Sequence, residues 1–471
     1  MSSAAPNPVP AGTEPVELTA VGYKGNDEQR HDTNPTPKPE DGRENASFFA
    51  KAGAFVAANA VPPGGIGASA FNIGSTTVGA GIFGLPAASQ SSGLVMAMFY
   101  LLVITAMTVF STYALGVAAE RSKVNTYEGV ARVLLGKWGA YITAAARVLY
   151  CFSGCVAYVI STGDILHATL KNSSASDFLK TTAGNRLLTF IMWLCCMLPL
   201  VIPRHIDSLR HASTVAFVLM IYMVAVVVVH SCMNGLPENI KSVSVGRNES
   251  AEVVLFNSGN TAIEGLGVFI FAYVFQVTAY EVYMDMKDRS VRKLVTATII
   301  AMAMCLPMYA LTALFGYLDF GSKATSSILL MYDPLNEPEV LIGYVGVLVM
   351  LFVSYALLGM SCRNALYSVA GWDANTVAFW KHCIAVVSLS VVMLVCGLFI
   401  PKINTVLGFA GSISGGILAL IFPALFLMYS GGFTLQKVGP LCYIATYVLL
   451  LSGVIAAVFG TGATIYGVVV G

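Results

Sequence analysis

The chain has 471 residues, of which 56% are hydrophobic and only 11% are charged, and its formal net charge is +1. Soluble domains usually carry about 25% charged residues, so this composition excludes an ordinary water-soluble protein and predicts one that crosses a membrane many times. The nearly balanced charge argues against a nucleic-acid partner, which would need a basic surface.

The first 60 residues differ from the rest of the chain. They are rich in proline, charged and small polar residues, as in PNPVPAGTEPVE (6–17) and NPTPKPEDGRE (34–44). This composition predicts a disordered tail over residues 1–60. The tail lacks the apolar core of a signal peptide, so we expect it to stay in the cytoplasm.

Apolar segments recur along the remainder, which we interpret as one transmembrane domain over residues 65–471. Each is long enough to cross about 30 Å of hydrocarbon as a helix. The prediction is an all-α polytopic membrane protein with eleven segments, numbered 1 to 11 in chain order: 68–90, 93–118, 140–168, 187–203, 209–232, 260–284, 295–318, 340–362, 378–400, 404–429 and 441–468.

The loops between the segments predict the orientation. With the N-terminus in the cytoplasm, the inner loops hold 13 basic residues and the outer loops hold 7, which is the bias expected of membrane proteins. The two glycosylation sequons, at Asn172 and Asn248, both fall on the outer side in this arrangement. We therefore predict a cytoplasmic N-terminus and glycosylation at these two asparagines.

Segment 1 contains TVGAGIFGLP (77–86), in which Gly79, Gly81 and Gly84 spell the dinucleotide-binding pattern G-x-G-x-x-G. That pattern needs a preceding strand and an acidic residue about 20 positions later. Here the next acidic residue is Glu120, and the intervening stretch is apolar. The context excludes a nucleotide site.

A glycine inside a helix costs about 1 kcal/mol and a proline about 3 kcal/mol, so a cluster of three glycines followed by Pro86 needs another explanation. Close helix packing through small residues is one alternative. A broken helix explains the density better, because its freed N–H groups would line a cavity and favour a carboxylate. Breaks of this kind mark the binding sites of transporters.

An inverted repeat would place a second break five segments later. Segment 6 offers GLGVFIFAYVFQVTAYEVYMDMKD (265–288), with an aromatic centre and a polar Gln276, although Gly265 and Gly267 precede that centre. Unwound carbonyls here would suit an amine. The two breaks together would hold an α-amino acid by both charged ends.

Four stretches make the chain resemble the amino acid/auxin permease family of the amino acid–polyamine–cation superfamily, and most of all its kinetoplastid amino acid transporters. They are FNIGSTTVGAGIFGLPAA (71–88), NTYEGVARVLLGKWG (125–139), FAYVFQVTAYEVYMDMKD (271–288) and GFAGSISGGILALIFPALF (408–426). The resemblance implies a LeuT-like five-plus-five inverted repeat with discontinuous helices 1 and 6. Its repeats would span about 68–232 and 260–429, followed by an extra helix over about 441–468.

The resemblance also implies a substrate site near the middle of the bilayer, between segments 1, 3, 6 and 8. The backbone that binds the carboxylate in this family maps onto Thr77, Gly79, Ala80 and Gly81. The carbonyls that bind the amine, and the aromatic gate, map onto Phe271, Ala272 and Tyr273, and Gln276 is a further candidate for substrate contact.

Departures from the family pattern bear on coupling. Similar sodium-coupled members carry an asparagine where this chain has Ser75 and a histidine where it has Gln276, while a hydroxyl remains as Ser354. Because a sodium site needs several oxygen ligands, we expect proton coupling or facilitated transport instead of sodium coupling.

Ionisable residues inside membrane segments are candidates for function. Arg147 in segment 3 would snorkel or pair with an acid, and Glu281 below the second break would pair with Arg147 or Arg363 as a gate. Glu264, above the break, would attract a cationic side chain or serve in packing. Asp164 lies near the outer end of segment 3 and reads as interfacial.

The leading interpretation is a secondary transporter of neutral or cationic amino acids at the plasma membrane. A lysosomal or vacuolar exporter is a rival with the same fold, and an amino acid sensor that signals through its tail is a rival of another class. We find no catalytic set, metal cluster or cofactor motif, so we do not expect an enzyme.

Overall fold

In the computed structural model, the described part of the chain comprises residues 64–203, 209–246, 248, 250–324, 326–372 and 377–470. The tail predicted over residues 1–60 lies outside these ranges. The described residues are predominantly helical, and ten helices among them are long and apolar enough to cross a membrane. The prediction of an all-α polytopic membrane protein is therefore confirmed.

These ten helices coincide with predicted segments 2 to 11. Their bounds, in order, are Leu94–Ser122, Tyr127–Lys171, Thr182–Val201, Thr214–Met233, Ala262–Asp285, Val291–Lys323, Pro338–Ala370, Phe379–Phe399, Ile403–Tyr429 and Pro440–Val469. Segment 1 is absent from this set because it forms two shorter helices. The inverted repeat that would relate segments 1–5 to segments 6–10 stays a prediction.

Segment 1 is interrupted at the position where the glycines and proline predict a break. Its first half, called 1a, is Ile66–Thr77 and its second half, called 1b, is Gly81–Ser92. Between them Val78, Gly79 and Ala80 lie outside both helices. Pro86 lies inside 1b, where it removes one backbone donor.

Segment 6 is interrupted as well, but not at its glycines. After a short turn at Asn260–Glu264, its first half (6a) is Leu266–Ala272 and its second half (6b) is Gln276–Asp285. The break consists of Tyr273, Val274 and Phe275. Gly265 and Gly267 instead allow close approach, because a Cβ at Gly267 would collide with the backbone of Gly408 in segment 10.

Segment 3 begins with the short helix that the resemblance predicts. Thr126 caps it by accepting a hydrogen bond from the Gly129 amide at 3.1 Å. The helix then bends at Gly136, whose φ of 79° lies in the left-handed region that favours glycine. The bend lets the short helix turn away from the membrane-spanning part of segment 3.

Short elements connect the segments. A two-stranded parallel pair joins β1 (Val243–Ser244) to β2 (Val253–Val254) between segments 5 and 6. Single helical turns occur at Asp177–Lys180, Leu236–Asn239, Gly321–Lys323, Ile328–Leu330 and Leu435–Val438.

Among these ten helices, segments 3, 6, 8 and 10 have the largest buried share and segments 2, 4 and 11 the smallest. Segment 3 packs against segments 8 and 10, and segment 7 packs against both halves of segment 1. Segment 10 is a π-helix over Ala410–Ile421. Its carbonyls accept side-chain hydrogen bonds, from Tyr127 to Leu418 at 2.8 Å and from Ser111 to Ala419 at 2.5 Å.

Candidate functional site

The two interrupted helices meet at their breaks. A Cβ added at Gly81 would lie 2.9 Å from the Cα of Ala272, a distance that real Cβ atoms essentially never show. A Cβ at Gly79 would lie 2.9 Å from the hydroxyl of Tyr158, and one at Gly84 would collide with the side chain of Asn404. The glycines therefore interrupt the helix and also allow close packing, so the two explanations that the sequence left as alternatives both apply.

The start of 1b presents backbone donors that are not bonded to backbone acceptors. Among the described residues, the amides of Gly79, Ala80 and Gly81 have no backbone acceptor. The hydroxyl of Tyr158 in segment 3 lies beside the Ala80 amide and the Ser354 side chain. The positive end of a helix with unpaired amides favours an anionic group, so this corner has the chemistry to bind a carboxylate.

The break in segment 6 is held by side chains. Tyr150 of segment 3 donates a hydrogen bond to the Val274 carbonyl at 2.8 Å, and its ring packs against Phe271 at 5.0 Å between centroids. The side-chain oxygen of Gln276 accepts from the Phe275 amide at 3.0 Å. Gln276 is fully buried, and within the described ranges its Nε2 has no hydrogen-bond partner. It therefore offers an unused donor at the break.

Tyr309 of segment 7 joins the two breaks. Its hydroxyl lies 2.7 Å from the Thr77 carbonyl at the end of 1a and 2.8 Å from the Ala272 carbonyl at the end of 6a. Its ring stands edge-on to Tyr273 with centroids 5.1 Å apart, and Thr105 donates to the Tyr273 hydroxyl at 3.0 Å. Tyr309, Tyr273 and Ala272 all belong to the buried core.

Three tyrosines at the breaks were not predicted from the sequence: Tyr150, Tyr158 and Tyr309. A tyrosine in an apolar segment is an ordinary core residue by pattern, and its hydroxyl partner depends on which segments become neighbours. The available signal was that a hydroxyl deep in a membrane protein needs a hydrogen-bond partner, but this signal does not say which one.

One ionic cluster joins segments 3, 6 and 8 at the ends that are predicted to face the cytoplasm. Arg147 contacts Glu128 and Glu281, each at 2.9 Å, and also lies 2.9 Å from the hydroxyl of Ser361. Glu281 therefore pairs with Arg147, whereas the guanidinium of Arg363 contacts Asn364 and the Pro203 carbonyl. The sequence analysis did not identify Glu128 as a partner.

Glu264 lies away from the breaks, in a small cavity between 1b, 6a, segment 10 and segment 11, at the end of the molecule predicted to face outward. The cavity is also lined by Ser91, Lys402, Asn404 and Gly467. Lys402 places a positive charge near the Glu264 carboxylate. The role of Glu264 in attracting a cationic side chain stays a prediction.

Asp164 is more enclosed than an interfacial residue. Its Oδ2 is buried without a hydrogen-bond partner among the described residues, and Ser327 lies beside its carboxyl group. Its neighbour His167 is exposed, as expected at the outer end of segment 3. A carboxyl group with one buried and unpaired oxygen is suited to hold a proton.

The remaining candidates have local contacts. The Ser75 hydroxyl donates back to the Asn72 carbonyl at 3.2 Å, and Ser354 donates to the Met350 sulfur at 3.4 Å. Asn172 and Asn248 are both exposed. The Asn172 amide donates to Asp333 at 2.6 Å, a contact that a glycan on this nitrogen would change.

Many apolar helices, two of them interrupted opposite each other around buried polar groups, define the class of the protein as a polytopic membrane transporter. The chain matches a family model described as "Transmembrane amino acid transporter protein" over residues 62–466. It belongs to that family. The resemblance to the amino acid/auxin permeases is thereby confirmed, the protein is an amino acid transporter and not an enzyme, and the kinetoplastid subdivision stays a prediction.

Two relatives illustrate the range of this family. The chain is 25% identical over 369 residues to "Vacuolar amino acid transporter 5" of Schizosaccharomyces pombe, which covers 76% of this chain and 83% of that protein. It is 23% identical over 414 residues to "Sodium-coupled neutral amino acid symporter 2" of Danio rerio, which covers 83% of this chain and 81% of that protein. The two relatives differ in named location and coupling.

Proposed function

We propose that this chain moves amino acids across a membrane by alternating access, with the substrate held between the two breaks. The α-carboxylate binds the backbone amides over residues 79–81, whereas Thr77, which the resemblance assigns to the carboxylate, turns its carbonyl toward the ammonium instead. The α-ammonium binds the carbonyls of the second break, at residues 271–273. The observation that carries this proposal is the direct contact of the breaks, where Gly81 packs against the backbone of Ala272.

The charges of the two breaks support this orientation. The start of 1b presents amides and therefore partial positive charge, whereas 1a and 6a both end there and present carbonyls with partial negative charge. An α-amino acid carries an ammonium and a carboxylate on one carbon. Donors and acceptors placed side by side are complementary to that pair of charges.

Coupling is the finer part of the proposal, and we favour proton-coupled or facilitated transport. Ser75 contacts the Asn72 carbonyl, and Ser354 contacts the Met350 sulfur and the Tyr158 hydroxyl. Asp164 is the described carboxyl group best placed to take up a proton, because it lies in segment 3, six residues beyond the Tyr158 that contacts the first break. Because one relative is named as sodium-coupled, the test must compare uptake with and without sodium.

The plasma membrane is the proposed location, with a vacuole or lysosome as the alternative that the vacuolar relative favours. An amino acid sensor is the second candidate function, and it rests on the long polar stretch over residues 1–60. Deletion of residues 1–60 separates the two functions, because a transporter keeps most of its flux whereas a sensor loses its signal.

The test is uptake of labelled neutral and cationic amino acids in transporter-deficient cells, with sodium replaced by choline, and with and without a protonophore. Gly81→Ala is the test variant, because its Cβ would overlap the Ala272 backbone. Gly462→Ala in segment 11 is the matched control, because no atom lies within 4 Å of its Cβ position.

Overpacking costs about 1–3 kcal/mol, so we expect Gly81→Ala to lower uptake by about ten-fold and Gly462→Ala to leave it unchanged. Collapse of wild-type uptake in choline would refute the coupling proposal. A chain that reaches the cell surface but supports neither uptake nor release of any amino acid would refute the transport mechanism and favour the sensor.

A further inference from the structure

The hydroxyl of Tyr309 is in contact with two backbone carbonyls at once. Thr77 O lies 2.7 Å away and Ala272 O lies 2.8 Å away, and Tyr309 is fully buried. A tyrosine hydroxyl carries one proton. At any instant it can therefore donate to one of these carbonyls, while the other receives no hydrogen bond from it.

Two carbonyls that converge on one point suit a donor with several protons. An ammonium group has three N–H donors and a full positive charge. Hydrogen bonds from a charged donor are about twice as strong as those from a neutral one. An ammonium at this point would satisfy both Thr77 and Ala272, which the hydroxyl cannot do simultaneously.

We propose that the Tyr309 hydroxyl is an internal ligand of the amine site: it holds the Thr77 and Ala272 carbonyls in place and is displaced when the α-ammonium of the substrate binds. This inference rests on the proposed function, since it concerns the same pair of breaks. It assigns to segment 7 a role in substrate affinity and selectivity.

The surroundings of Tyr309 hold its ring against the site. Tyr273, in the break of segment 6, packs edge-on against it at 5.1 Å. One turn earlier in segment 7, the Cys305 sulfur lies 3.7 Å from the Gly74 carbonyl of 1a. Because the phenol oxygen is bonded to this ring, a hydroxyl that gives up its two carbonyls to the ammonium still lies beside the substrate nitrogen, where it crowds any further group bonded to that nitrogen. The site therefore selects primary ammonium groups over N-methylated ones.

The test variant is Tyr309→Phe, which removes the oxygen and keeps the ring. The lost hydrogen bond exists only without substrate, so the variant destabilises the unoccupied site relative to the occupied one. We expect the Kd of the transported amino acid to fall between about 2-fold and 10-fold, as one neutral hydrogen bond allows. The affinity for the N-methyl derivative of the same amino acid should rise by a larger factor.

Tyr344→Phe is the matched control. Tyr344 of segment 8 is equally buried, and it donates to a single carbonyl, that of Leu329, at 2.6 Å. Each variant removes one buried hydroxyl, and with it the one hydrogen bond that this hydroxyl donates to a backbone carbonyl at a time. We expect Tyr344→Phe to leave both affinities and their ratio unchanged, and thermal unfolding of each variant in detergent reports whether it is folded.

The outcomes separate the two proposals. Weaker binding in Tyr309→Phe would make the hydroxyl a partner of the bound ammonium, and unchanged binding would make it a packing residue; either result overturns the inference and leaves the proposed function standing. If Tyr309→Phe does not fold, the wild type decides, because equal affinity for an amino acid and its N-methyl derivative would also overturn it. A wild type that binds no amino acid would refute both.

Discussion

The ionic cluster of Arg147, Glu128 and Glu281 lies at the end predicted to face the cytoplasm, and the exposure of its carboxylates predicts how strongly each holds a gate closed. Arg147 is 12% exposed and pairs with Glu128, which is 17% exposed, and with Glu281, which is 59% exposed. If this cluster closes the path from the breaks to the inner side, removing either carboxylate charge shifts the protein toward an open inner gate. The two carboxylates should differ in effect because they differ in solvent exposure.

The magnitudes follow from that difference. A hydrogen bond to a charged group that is shielded from water is worth about 1.5–3 kcal/mol, whereas an exposed ion pair is worth about 0.2–1 kcal/mol. Each 1.4 kcal/mol is a factor of ten. We therefore expect Glu128→Gln to raise the population with an open inner gate by about ten-fold or more, and Glu281→Gln by less than about five-fold.

Cys151 is a native reporter for the assay. It lies one helical turn beyond Arg147 in segment 3, and it is buried. Opening of the inner gate should expose its thiol, so the rate of maleimide labelling at Cys151, read by peptide mass spectrometry, measures the open population. Arg132→Gln, an exposed charge change on the same short helix as Glu128, is the control and should have no effect.

The prediction depends on which of the two variants increases Cys151 labelling more. Equal labelling in Glu128→Gln and Glu281→Gln, or a larger effect from Glu281→Gln, would refute the argument from exposure. Labelling of Cys151 that stays at the wild-type rate in both variants would show that the cluster does not close the inner path.

Three further predictions concern other parts of the molecule. Asp164→Asn should flatten the rise in uptake that proton coupling produces at acidic external pH, and a variant with the wild-type pH profile would exclude Asp164 as the proton site. Asn172→Gln and Asn248→Gln should each increase electrophoretic mobility by one glycan; unchanged mobility on the double variant would exclude both sequons and weaken the orientation. Tyr127→Phe removes the hydrogen bond to Leu418 of segment 10, which should cost about 1 kcal/mol and lower the thermal midpoint in detergent without changing substrate selectivity; an unchanged midpoint would show that the bond contributes no net stability.

The break of segment 1 was predictable because its cause is local. Gly79, Gly81 and Gly84 with Pro86 oppose a continuous helix wherever they occur in a chain. Ten of the eleven predicted apolar segments coincide with helices long enough to cross a membrane, and they were predictable because a spanning helix must satisfy its backbone within itself. Composition and spacing carry that information without knowledge of neighbours.

The break of segment 6 was only half predictable. Its glycines lie at 265 and 267, whereas the helix is interrupted at Tyr273–Phe275, where no residue opposes a helix by itself. The freed carbonyls there are satisfied by hydroxyls of Tyr150 and Tyr309, which belong to segments 3 and 7. An interruption that is stabilised from other segments leaves no local pattern.

The sequence by itself therefore determined the class of the protein, through its apolar composition, and the first break, through the backbone costs of residues adjacent in the chain. The tertiary structure decided the second break, the choice of Glu128 and Glu281 as partners of Arg147, and the burial of one carboxylate oxygen of Asp164. These depend on which segments become neighbours, and a buried polar group is stable only where such a neighbour supplies its partner.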